Sequence, residues 1–162
     1  MTSERSGQRE HPDHAGVAFH PPLLLLCSIG LGFAARWLAP AEFMPRSWAV
    51  VGGPVLVSAS FALFLWAVNT MRRGGASIPT NEPTDSLVVS GPYRVSRNPI
   101  YLSMVCLLLG IAIWANSLWF IGLAATTVAL LNWGVISREE RYLERKVAAE
   151  YSAYKGRVRR WC

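Results

Sequence analysis

The sequence predicts an all-α integral membrane protein with about four transmembrane helices and a C-terminal amphipathic cytoplasmic helix. Three observations predict it. Apolar residues make up 52% of the chain and charged residues only 16%, whereas soluble domains carry about 25% charged residues. The apolar residues gather into long uncharged runs. The basic residues gather between and after those runs, as they do in cytoplasmic loops.

Residues 1–14 are polar and mixed in charge, which predicts a disordered tail ahead of a single membrane domain over 15–162. His11 and His14 lie in that tail and His20 lies near the first apolar run. No carboxylate or cysteine frame accompanies them, so no metal site is expected. The first run covers 15–35 and is broken only by His20, with Arg36 next at the interface. The second, 48–69, is uncharged, and Trp48 and Trp66 lie near its ends, where indoles prefer the headgroup zone. The longest uncharged stretch is 98–137. As one helix it would be about 60 Å long, against a hydrocarbon core of about 30 Å. It must fold back, and Ala115-Asn116-Ser117 is the expected turn, giving spans at 99–114 and 118–136.

Four spans put both termini on one side of the membrane. Segment 71–97 carries Arg72, Arg73, Arg94 and Arg97. The tail carries Arg138, Arg141, Arg145, Lys146, Lys155, Arg157, Arg159 and Arg160, and the N-terminus adds Arg5 and Arg9. The link between the first two spans has Arg36 and Arg46. Both termini and segment 71–97 are therefore expected to be cytoplasmic. The formal net charge of +6 then reflects membrane orientation, and no nucleic-acid partner is expected. Cys27, Cys106 and Cys162 fit no metal or redox spacing. The first apolar run starts late and lacks a small-residue cleavage pattern, so no secretory signal peptide is expected. In the tail, Leu143, Val147, Tyr151, Tyr154 and Val158 fall on one helical stripe. Such a helix would lie on the bilayer surface or fold over the mouth of the bundle.

Two segments carry more than structure requires. Glu139 has Val135, Ile136, Tyr142 and Leu143 as helical neighbours, and no basic partner at helical spacing. Glu140 neighbours Ile136, Ser137, Leu143 and Glu144, and Ser137-x-x-Glu140 has the form of a capping box. Ionisable groups at this depth are functional candidates. In the run from Gly91 to Tyr101, Gly91-Pro92 is turn chemistry, Asn98 is a candidate N-cap and Pro99 the first helical residue. Tyr93 and Tyr101 interleave with Arg94 and Arg97 beside a helix N-terminus. Those residue types suit a ligand with both a flat ring and a carboxylate.

Together these segments resemble the isoprenylcysteine carboxyl methyltransferase and phospholipid methyltransferase superfamily. Its pattern is a GPY turn, then R-H-P-x-Y-x-G, then paired glutamates about forty residues on. This chain has Gly91-Pro92-Tyr93, Arg97-Asn98-Pro99-Ile100-Tyr101-Leu102-Ser103 and Glu139-Glu140. The stretch from Glu150 to Val158 also resembles the family tail E-Y-x-x-Y-x-x-R-V. The similarity covers roughly 68–161. Asn98 stands where the family often has histidine, and Ser103 where it often has glycine. Asparagine does not titrate, so histidine-dependent proton transfer at that position is excluded.

The resemblance implies an S-adenosyl-L-methionine-dependent methyltransferase with the cofactor held between the last spans and the C-terminal helix. It implies that Arg97, Asn98, Tyr101, Glu139 and Glu140 line the cofactor site, with Tyr93 and Tyr154 near it. Arg97 and Arg157 are the implied catalytic residues, Arg157 closing the site or facing the acceptor. The implied acceptor is a lipophilic small molecule, lipid or lipidated substrate, methylated on a carboxylate, amine or thiol at the cytoplasmic face. Two alternatives stay open: a membrane NADPH-dependent reductase-like protein, and a non-enzymatic membrane scaffold.

Overall fold

The computed structural model describes residues 20–75 and 87–162. The expected tail at 1–14, with His11 and His14, lies outside the described residues. The helices are α1 (Pro21–Leu38), α2 (Arg46–Arg73), α3 (Pro99–Trp114), α4 (Leu118–Leu131), α5 (Ser137–Lys146) and α6 (Ala148–Lys155). A π-helical turn at Asn132–Ile136 joins α4 to α5 without a break, and a 3₁₀ turn at Gly91–Arg94 precedes α3. Among the described residues there is no β-strand, only an isolated parallel bridge between Ser96 and Arg159.

Among the described residues, three helices are long and apolar enough to cross a membrane: Pro21–Leu38, Arg46–Arg73 and Leu118–Lys146. Pro99–Trp114 is a fourth, shorter apolar helix. Leu23, Leu31, Phe33, Val55, Leu65 and Trp133 are exposed on them. In water so much apolar surface would drive association, whereas in a bilayer it is the lipid-facing surface. The first span starts at Pro21, because prolines fit the first helical turn, where the backbone N–H has no partner to lose.

α2 packs against α3, α3 against α4, and α4 against α1. The α2–α3 contact is close because glycine lies on both sides of it. A Cβ on Gly53 would meet the Trp114 backbone nitrogen at 2.5 Å, and one on Gly110 would meet the Val57 nitrogen at 2.9 Å. Ser28 and Thr127 hydroxyls pair at 3.0 Å between α1 and α4.

The chain reverses at Ala115-Asn116-Ser117, as the length of the uncharged stretch requires. Asn116 takes a positive φ of 46°. Its Oδ1 accepts from the Phe43 and Met44 amides at 3.1 Å each, and its Nδ2 donates to Met44 O at 2.8 Å. One buried amide thus clasps the two connections at the end of the bundle opposite the candidate site.

The C-terminal stripe does not form one continuous helix. Val147 leaves helical geometry (φ −133°, ψ 51°) and separates α5 from α6. The kink turns α6 back so that Tyr151 and Tyr154 are buried. Below them, Tyr101, Met104, Leu131, Val135 and Ile136 form an apolar cluster with Leu24, Leu25 and Trp161 packed against it. This cluster is the floor of the polar site.

Candidate functional site

Gly91 opens the site's first wall. Its φ of 57° lies in the left-handed region, and a Cβ there would meet Thr70 Oγ1 at 2.9 Å. The turn can therefore press against the end of α2 and bury Pro92 and Tyr93. Tyr93 directs its hydroxyl to Met71 Sδ at 3.6 Å, while its carbonyl accepts from the Tyr154 hydroxyl at 2.6 Å. Tyr93 and Tyr154 thus tie α2, the turn and α6 together. Burial pushes the Tyr154 hydroxyl up to about 12, with Tyr151 adding to the shift. Burial also raises Tyr93, helped by Tyr154 and by the charge of Glu139.

Ser96, Arg97 and Asn98 lead into α3 and pair with Arg159 and Arg160. Arg97 N donates to Arg159 O at 3.0 Å. Ser96 Oγ and Asn98 Nδ2 both donate to Arg160 O, at 3.3 and 3.1 Å. Asn98 does occupy the N-cap position with Pro99 behind it, but its side chain makes no capping bond. The amide has turned to the C-terminal segment instead.

The centre of the site is a buried charge cluster. Arg97 Nη1 lies 3.0 Å from Glu140 Oε1, each side chain 9% exposed, and also donates to the Tyr151 hydroxyl at 3.1 Å. Arg160 grips the same carboxylate with both arms, Nε to Oε1 at 3.1 Å and Nη2 to Oε2. Glu140 therefore lacks a basic partner on its own helix but has two from distant segments. Burial pushes the Tyr151 hydroxyl up to about 12, with the Glu140 charge adding and Arg97 opposing. The Nε of Arg97 is buried with no protein partner. Beside the cluster, Tyr101 donates to Glu139 Oε1 at 2.7 Å.

No capping box forms between Ser137 and Glu140. Helix α5 continues from α4, and Ser137 Oγ donates back to Asn132 O at 2.6 Å across the π turn. That turn holds one residue more than an α-turn, which rotates α5 by about 100° relative to α4. The rotation sets where both glutamates point.

Of the residues expected at the site, Arg97, Asn98, Tyr101, Glu139 and Glu140 converge here, with Tyr93 and Tyr154 forming its wall. Arg157 lies just past the end of α6 and is exposed, and its Nε donates to Ala153 O in the last turn of that helix. Sequence reasoning missed Tyr151 and Arg160 as site residues. Tyr151 was visible as a member of the apolar stripe; Arg160 had no signal beyond belonging to a basic tail.

The phospholipid methyltransferase family model matches residues 48–150. The chain belongs to the phospholipid methyltransferase family. That makes it a member of a family of membrane methyltransferases, in agreement with its apolar helices. The matched region takes in the segment from Gly91 to Tyr101 and both glutamates, and ends before Tyr151, Tyr154 and Arg160. An uncharacterized protein of Haemophilus influenzae is 43% identical over 63 residues, which is 38% of this chain and 98% of that protein. No solved structure is significantly similar.

Proposed function

We propose that this phospholipid methyltransferase-family protein transfers a methyl group from S-adenosyl-L-methionine to a lipophilic acceptor at the cytoplasmic membrane face. The observation that carries the proposal is the pairing of two separate motifs, Arg97 with Glu140 and Tyr101 with the adjacent Glu139, which leaves the Arg97 Nε buried without a protein partner. The donor set fits this cofactor. Arg97 Nε is a charged donor for its carboxylate, Glu139 an acceptor for its amino group or ribose hydroxyls, and Tyr101, Tyr93 and Tyr154 supply aromatic surface for adenine.

The bound cofactor supplies an activated methyl group whose leaving group needs no acid. The residues therefore act mainly by position. Arg97 and Glu139 hold the cofactor from two sides, and Glu140 lines the site while fixing Arg97. A carboxylate acceptor needs only a cation to hold it, the role proposed for the exposed Arg157. An amine acceptor must lose a proton, and Glu139 is the nearest candidate base.

The membrane geometry favours an acceptor that arrives through the lipid. Helix α3 would be about 24 Å long, against a hydrocarbon core of about 30 Å. With four spans and both termini cytoplasmic, its N-terminus carries the site at or just below the headgroup level.

Titration calorimetry on the detergent-solubilised protein tests the proposal. S-adenosylhomocysteine should bind and NADPH should not. Binding of NADPH alone would favour a reductase-like protein, and binding of neither would favour a scaffold.

A further inference from the structure

The last residues of the chain do more than extend α6. Arg160 is joined to the site twice. Its guanidinium takes both oxygens of Glu140, the same carboxylate that holds Arg97. Its carbonyl accepts from Ser96 Oγ and from Asn98 Nδ2, the residues on either side of Arg97. The neighbouring Arg159 carbonyl accepts from the Arg97 amide. Trp161 Nε1 donates to Asn132 Oδ1 at 3.1 Å, at the start of the π turn, and its ring packs on the apolar floor. The segment from Arg159 to Trp161 therefore lies as a strap across the N-terminus of α3 and the turn that orients the two glutamates.

We propose that Arg160 is a positioning residue of the methyl-transfer site, fixing Arg97 through the Glu140 carboxylate and through the backbone of the Ser96–Asn98 segment. The proposal rests on the cofactor reading of the same site. Its physical basis is the shared acceptor. A lone carboxylate has two lone-pair-bearing oxygens and can swing, but one gripped by a fork has a fixed plane. The Arg97 guanidinium, bonded to one of those oxygens, is then aimed, and its unpartnered Nε faces a constant direction. Asn98 also acquires a role: its amide, which cannot titrate, holds the strap's carbonyl.

The test is a double-mutant cycle on the full chain in detergent, read by S-adenosylhomocysteine affinity and by amide exchange over Ser96–Asn98. Arg160→Ala should weaken binding by up to about five-fold, less than removal of Arg97 itself, because a partner this exposed contributes little and acts only by aiming Arg97. Arg160→Lys keeps the charge but lacks the fork, and should restore less than half of that loss in binding free energy. On a Glu140→Gln background, Arg160→Ala should cause no further loss, because the carboxylate through which it acts is gone. Amide exchange over Ser96–Asn98 should quicken in Arg160→Ala whether or not cofactor is present. Wild-type affinity in Arg160→Ala, or losses that add in the double variant, would overturn the positioning role while leaving the cofactor reading intact. If the wild type binds no S-adenosylhomocysteine, the cofactor reading fails. Faster exchange in Arg160→Ala would then still support the strap, and unchanged exchange would overturn it.

Discussion

Replacing each paired glutamate by glutamine should separate two carboxylates that look alike in sequence. Glu140 and Arg97 are each 9% exposed, so the figure for breaking a buried ion pair applies, about 3–5 kcal/mol. Arg160 is 37% exposed, and such a partner contributes at most about 1 kcal/mol. Glutamine retains one acceptor oxygen but turns an N–H₂ toward donors, so Glu140→Gln should cost about 3 kcal/mol. For a chain of this size that lowers Tm by roughly 6–12 °C. Glu139 has a neutral partner, the Tyr101 hydroxyl at 2.7 Å. Glutamine can still accept that bond, so Glu139→Gln should cost no more than about 1 kcal/mol, a shift within about 4 °C. Both variants should fold and both should lose most S-adenosylhomocysteine binding. Thermal unfolding in detergent, tracked by tryptophan fluorescence, gives the two shifts, and calorimetry gives the affinities. Equal Tm shifts for the two variants would refute the buried-pair argument. Wild-type affinity in both would remove the glutamates from the site.

Arg97→Ala should weaken S-adenosylhomocysteine binding roughly ten-fold or more by calorimetry, since a bond to a charged group is worth about 1.5–3 kcal/mol. Asn116→Ala should lower stability by about 2–4 kcal/mol without changing cofactor affinity, because three hydrogen bonds between the two connections are lost far from the site. A normal Tm would show that the clasp adds nothing. Tyr151 and Tyr154 have hydroxyls raised from 10.0 to about 12, so the unfolded chain releases these protons first. Their contribution to stability is then complete below pH 10 and declines as pH rises from 10 toward 12, a decline that Tm measured against pH will register. The proposed topology, with both termini cytoplasmic, predicts that cysteine labelling of a tag placed after Cys162 requires permeabilised cells, and labelling of intact cells would overturn it.

The sequence by itself determined the fold class. Span length and hydropathy are properties of contiguous residues, so 48–69 and 99–114 mark α2 and α3 closely. The turn at Ala115-Asn116-Ser117 is dictated by a stretch too long to cross once. The motifs holding Arg97, Tyr101 and the glutamate pair were legible for the same reason, because their residue types and spacing are local. Only the tertiary structure decided how those residues pair. Helical spacing left Glu140 without a cation, and packing supplied two, from Arg97 and from Arg160. Asn98 had the position of a cap, yet its amide went to a carbonyl at the far end of the chain. The break at Val147 and the π turn at Asn132–Ile136 reset the faces that a regular helical period would assign. For Glu140 and Asn98 the physical reason is the same. Burying a charge or an amide leaves it to be satisfied by whatever donor or acceptor packing brings within about 3 Å, and that distance is set by the fold, not by separation along the chain.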